Sequence, residues 1–121
     1  MVGKKRDTAP YLPLTPAEFH LLLALADGDK HGYAILKAVA RGRDGIALGP
    51  ATLYTIVRRF LTSGLIAESA HRPDPSLDDE RRRYYRLTDA GRAVARTEVQ
   101  RMESVLAAAS AKNLLRRPRR A

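Results

Sequence analysis

The chain has 121 residues, a formal net charge of +9 and no cysteine. That length supports one modest core rather than two, and the missing thiols exclude disulfides and Cys-based metal or redox chemistry. No apolar run reaches membrane-spanning length, and Asp7, Pro10 and Pro13 interrupt any signal region behind the basic N-terminus. The expectation is a cytoplasmic protein without membrane contact.

The charge is unevenly placed. Lys4, Lys5, Arg6, Arg116, Arg117, Arg119 and Arg120 are seven of the 22 basic residues, while all 13 acidic residues lie between these two groups. The interior is therefore nearly balanced, and its local clustering carries more information than the total.

Residues 1–13 read as a flexible basic arm, since Pro10 and Pro13 resist regular structure. A helix starts at Leu14-Thr-Pro-Ala-Glu18, with Thr15 as N-cap, Pro16 at the first helical position and Glu18 closing a capping box. Phe19, Leu22, Leu23 and Ala26 are its expected apolar face, and Asp27-Gly28-Asp29 its end. A second helix is expected from His31 or Gly32 to about Ala40, burying Ile35, Leu36 and Val39. Ile46–Leu48 is long enough for a short strand.

Gly49-Pro50 opens a third helix. At about 100° per residue, Leu53, Ile56, Val57, Phe60 and Leu61 share one face. Ala51, Thr55, Arg58, Arg59 and Thr62 share the other, with Thr52 and Tyr54 at the margins. Ser63-Gly64 stops it. Residues 65–70 and 82–87 then read as the two strands of a hairpin around the turn-rich segment Pro73–Ser76. Tyr84 and Tyr85 fall on opposite sides of their strand, so one should pack in the core and the other be exposed or hydrogen-bonded. Thr88-Asp-Ala-Gly starts a long final helix, in which Ala95, Val99, Met102, Leu106 and Ala109 repeat at coiled-coil spacing. About 24 residues at 1.5 Å each outrun so small a domain, so the stripe calls for a partner, most simply a second copy.

Three short helices and a basic hairpin without βαβ alternation describe a mainly α fold with a small β-hairpin. This is a winged helix-turn-helix at 14–88, followed by a dimerisation helix at 89–115 and a basic tail at 116–121. A helix led by Ala51, Thr52 and Thr55, with Arg58 and Arg59 behind, can enter a major groove without bulk at its tip. Tyr54 can reach a phosphate or pack in the core. Arg81, Arg82 and Arg83 leave the hairpin loop where a wing meets backbone or minor groove, with Tyr84 beside them. Asp78, Asp79 and Glu80 precede those arginines and nearly cancel them.

His20, His31 and His71 lie on separate elements without metal-ligand spacing. No phosphate-cradling glycine motif is present. No catalytic residue, metal or cofactor is expected.

Leu14-Thr-Pro-Ala-Glu-Phe, His31-Gly-Tyr-Ala-Ile, Leu48-Gly-Pro-Ala-Thr-Leu-Tyr, Gly64-Leu-Ile and Arg82-Arg-Tyr-Tyr-Arg-Leu-Thr-Asp-Ala-Gly occur in this order. Together they resemble the PadR family of bacterial transcriptional regulators, and the resemblance spans Leu14 to Leu115. It implies a homodimer, usually a repressor, on a two-fold symmetric operator in double-stranded DNA. The single final helix resembles the shorter subfamily, in which it mediates dimerisation. The resemblance further implies a small-molecule effector at the dimer interface, although this chain has no Trp and its final helix no aromatic residue. Two other readings fit the same residues: a winged-helix protein-interaction module, and a non-specific DNA-binding protein.

Overall fold

The computed structural model describes residues 8–42, 46–70 and 83–115. Residues 1–7, 43–45, 71–82 (with Arg81 and Arg82) and 116–121, on which the expected arm, hairpin loop and tail fall, lie outside the described residues. Four helices follow in chain order, α1 (Pro16–Leu25), α2 (Gly32–Ala40), α3 (Pro50–Ser63) and α4 (Asp89–Ala111). Three short strands accompany them, β1 (Lys30–His31), β2 (Ile66–Ser69) and β3 (Tyr84–Leu87).

The caps read from the sequence form. Thr15 accepts from the Glu18 amide, and the Glu18 side chain accepts from the Thr15 amide. This reciprocal box satisfies two of the orphan donors of a helix start. Gly64 ends α3 at φ +82°, a left-handed conformation that favours glycine. Thr88 caps α4 through the Gly91 amide, and its hydroxyl lies 2.6 and 2.8 Å from the carbonyls of Gly64 and Leu65.

The hydrophobic core draws on every helix. Leu21, Leu22 and Leu25 of α1 meet Ile35 and Val39 of α2, Leu53, Ile56, Val57 and Phe60 of α3, Leu65, Ile66 and Tyr85 of the sheet region, and Val94 of α4. The expected face of α3 is buried at Leu53, Ile56, Val57 and Phe60, with Leu61 partly buried beside them. That of α1 is corrected: Leu22 is buried, but the face continues through Leu21 and Leu25, while Leu23 is half exposed and Ala26 is exposed. A run of Leu21-Leu-Leu-Ala-Leu25 is apolar on nearly all sides, so periodicity cannot fix its rotation; packing does.

The sheet order is β1-β3-β2, all antiparallel. Its third strand is Lys30–His31 and not Ile46–Leu48, which carries no ladder although Ile46 and Leu48 pack against the core. One edge of β3 pairs with β2 and the other with β1, where His31 stands opposite Tyr84. Both tyrosines are buried, so of the two alternatives left for the second one, exposure is ruled out. Tyr85 joins the core, while Tyr84, 6% exposed, meets the His31 ring edge-on at 5.2 Å. An edge strand absent from the sequence reading covers the side of β3 that would otherwise face solvent.

The end of the expected arm is anchored. Ala9–Tyr11 form a 3-10 turn, and Tyr11 and Leu12 pack against the core.

Candidate nucleic-acid interface

The exposed side of α3 is continuous from its first turn to its last. Ala51, Thr52, Tyr54, Thr55, Arg58, Arg59 and Thr62 are all exposed along 14 residues. Gly49 offers no side-chain cap at the start of this helix. The first amides of α3 are thus without a side-chain acceptor, with Pro50 removing one of the donors. Partial positive charge at that end suits a phosphate oxygen.

The side chains along the face differ in what they can offer. The Thr55 hydroxyl donates to the Ala51 carbonyl at 3.0 Å, so it presents lone pairs and a methyl outward rather than a donor. Thr62 does the same with the Arg58 carbonyl at 3.1 Å. Arg58 makes no ion pair among the described residues. Arg59, by contrast, pairs with the partly buried Glu18 of α1. The two arginines that look equivalent in sequence are therefore different in structure: one is open, the other fastened to a neighbouring helix.

Tyr54 has a structural partner. A Cβ placed on Gly32 would stand 2.4 Å from its hydroxyl oxygen, so the absence of a side chain at Gly32 lets Tyr54 lie over the start of α2. Tyr54 nonetheless remains 46% exposed. Beside it, sequence reasoning missed a second exposed aromatic residue, Tyr33. Its ring stacks parallel on His31 at 6.5 Å, and the Lys37 ammonium sits 5.4 Å from its centroid. The His31-Gly-Tyr motif was the only clue, and the exposure of its tyrosine follows from how α2 is placed.

Of the wing arginines, Arg83 is within the described residues. It is exposed and donates to Glu68 of β2 at 3.0 Å, an acid outside the Asp78–Glu80 run. Tyr84 does not join an exposed surface, because its ring is enclosed against His31.

The dimerisation candidates share α4. Ala95 packs against the core and Ala109 is partly covered, whereas Val99, Met102 and Leu106 are 42, 38 and 52% exposed. Val105, not singled out by the heptad, is exposed as well. Among the described residues of one copy, nothing covers this stripe.

No helix among the described residues is long and apolar enough to cross a membrane, and no metal-binding group of three or more His, Cys, Asp or Glu occurs among them.

Residues 21–97 match the model of the Transcriptional regulator PadR-like family. The chain is 35% identical over 86 residues to Transcriptional regulator Rv3488 of Mycobacterium tuberculosis, an alignment covering 71% of this chain and 75% of that one. It is 36% identical over 86 residues to an uncharacterized 37.1 kDa protein in a transposon of Streptomyces fradiae, but spans only 23% of that longer protein. Among solved structures, a PadR family transcription regulator from Clostridium difficile superposes with a TM-score of 0.66 at 23% identity, covering 79% of this chain and 96% of that one. A second, Bordetella bronchiseptica BpsR, whose DNA binding is regulated by 6-hydroxynicotinic acid, superposes at 0.58 with 30% identity over 78% of this chain and 64% of that one. The capped helices, the sheet and the exposed face of α3 are thus found in a chain that belongs to the PadR-like family of transcriptional regulators.

Proposed function

We propose that this regulator is a homodimeric repressor that reads a two-fold symmetric operator with α3 and leaves it in response to a small molecule or another signal. The observation that carries the reading is the exposed face of α3, small at its tip and cationic behind, with an uncapped start. Thr52, Thr55 and Arg58 meet bases or phosphates, and Ala51 allows the close approach. Arg59 reaches DNA only by leaving Glu18. Tyr54 flanks the helix on the α2 side. Arg83 is the described arginine of the wing, and Arg81 and Arg82 are proposed as contacts from their sequence alone. Tyr84 leaves the proposed contact set because it is buried.

Dimerisation through Val99, Met102 and Leu106 is supported by an apolar stripe left exposed among the described residues. The pairing sets the separation of the two α3 helices, which a symmetric operator requires to be near one DNA turn, about 34 Å. Release by an effector is supported by the behaviour of BpsR, and repression by the family resemblance.

Gel shifts of the full chain on the duplex upstream of its own gene, with excess unrelated competitor, test the reading. A retarded complex that survives competitor supports it. Equal retention on both duplexes would leave only non-specific binding, and no retention would favour a protein partner.

A further inference from the structure

Among the described residues Glu98 is the one buried charged side chain. It lies on α4, one turn before the exposed stripe gathers at Met102. Its carboxylate takes two bonds from Arg101, Nε to Oε1 at 2.7 Å and a terminal guanidinium nitrogen to Oε2 at 3.0 Å. The third bond comes from far away in sequence, where the Leu14 amide donates to Oε2 at 3.2 Å.

Leu14 is the residue just before the α1 cap. The next amide, Thr15, donates to Glu18 Oε1 at 2.8 Å, and the other oxygen of Glu18 holds Arg59 of α3. Two successive amides are thus gripped by two carboxylates, one from α4 and one that also grips α3. If only stability were needed here, an apolar side chain could fill the site without a desolvation cost. A carboxylate does something that an apolar group cannot: it accepts from donors at fixed directions. It holds α4 at one orientation to the start of α1.

We propose that Glu98 is a positioning residue for DNA reading, tying α4 to α3 through the Leu14 amide, the α1 capping box and the Glu18–Arg59 pair. A shift of α4 against its partner copy would then move the start of α1 and, with Arg59 kept on Glu18, change how the rest of α3 meets DNA. The inference rests on the reading of α3 as the DNA-contacting helix and adds the residues that set its position.

The test is a double-mutant cycle in the full chain with Glu98→Gln, Glu18→Gln and both together. Dissociation constants are measured by fluorescence anisotropy on the upstream duplex and on a scrambled duplex of equal length. Glu98→Gln is expected to weaken binding to the upstream duplex by about tenfold and to the scrambled one far less. In the Glu18→Gln background most of that loss should disappear, because the link is already cut. Additive losses, or equal losses on both duplexes, would overturn the proposal. Should Glu98→Gln fail to fold, Arg101→Met removes two of the three bonds from a half-exposed position, and the same non-additivity with Glu18→Gln is expected. Hydrogen exchange without DNA reads the link directly: Glu98→Gln should speed exchange at Leu14–Glu18 and in the later turns of α3. Unchanged protection in α3 would overturn the link even if DNA binding fell. Wild-type protein that cannot tell the two duplexes apart would instead remove the DNA-reading function itself.

Discussion

A Cβ on Gly91 would lie 2.0 Å from the carbonyl oxygen of Leu65 and 2.8 Å from a methyl carbon of Leu87. The first turn of α4 therefore rests directly on the chain that leaves α3, with no room for a side chain between them. The Leu65 oxygen also accepts from the Thr88 amide, so it cannot easily move aside. Gly91→Ala is expected to cost about 1–3 kcal/mol by overpacking. Urea unfolding checks this, with a lowered midpoint expected at an unchanged slope.

Gly32→Ala makes a useful contrast. Its obstacle is the hydroxyl end of Tyr54, a flexible side chain that can rotate away. The expected stability loss is smaller than for Gly91→Ala, on the order of 1 kcal/mol or less. DNA affinity should fall by more than stability does, since Tyr54 flanks the proposed reading helix. A variant that binds DNA like wild type would remove Tyr54 from the interface.

The Arg101 guanidinium, and with it the Leu14 amide, holds the Glu98 carboxyl below its ordinary value, although burial pushes the other way. A carboxyl lowered in the folded state stabilises fully above its unfolded value, about 4.3, and that contribution is lost as the pH falls through the folded value. Wild-type stability should thus decline below about pH 4. Glu98→Gln should flatten that decline, and Glu98→Ala, which strands the Leu14 amide, should cost about 1–3 kcal/mol at neutral pH. Melting temperatures across pH 3 to 7 measure both, and an unchanged acid limb in Glu98→Gln would count against the assignment.

Val99→Glu combined with Leu106→Glu places two carboxylates in the exposed stripe of α4. In an apolar interface they are desolvated without partners. Sedimentation equilibrium should show a shift from dimer to monomer, while helical content, set mainly by the core beneath Val94, should change little. A dimer that survives both charges would place the interface elsewhere.

Arg58→Ala and Arg83→Ala should differ in kind. Loss of Arg58 is expected to cost about 1–3 kcal/mol on the operator and to relax base preference at one position. Loss of Arg83 should weaken binding to all sequences and reduce the salt slope by about one. Titrations of both variants at several salt concentrations separate these outcomes, and identical profiles would reject the division between base and backbone contacts.

Much of the fold was legible because its signals are local. Thr15-Pro-Ala-Glu18 sets its own capping box, Ser63-Gly64 ends α3 through a backbone conformation, and the buried face of α3 follows from a clean period. The heptad on α4 was legible for the same reason. Features that depend on what stands opposite were not. The rotation of α1 was hidden by its uniformly apolar sequence, and a two-residue strand at Lys30–His31 has no pattern to detect. Tyr84 is buried where that strand brings His31 against it.

The sequence by itself determined the helices, their caps, the small-then-cationic face of α3 and the family to which the chain belongs. Each is written in spacings of three to seven residues or in ordered short motifs. Tertiary structure alone decided which of two adjacent arginines stays open. It also turned an unremarked glutamate in α4 into the acceptor for an amide 84 residues away. The reason is physical: a hydrogen-bond acceptor or a counter-ion acts over a few ångströms, and only folding brings Leu14 to Glu98 and Glu18 to Arg59.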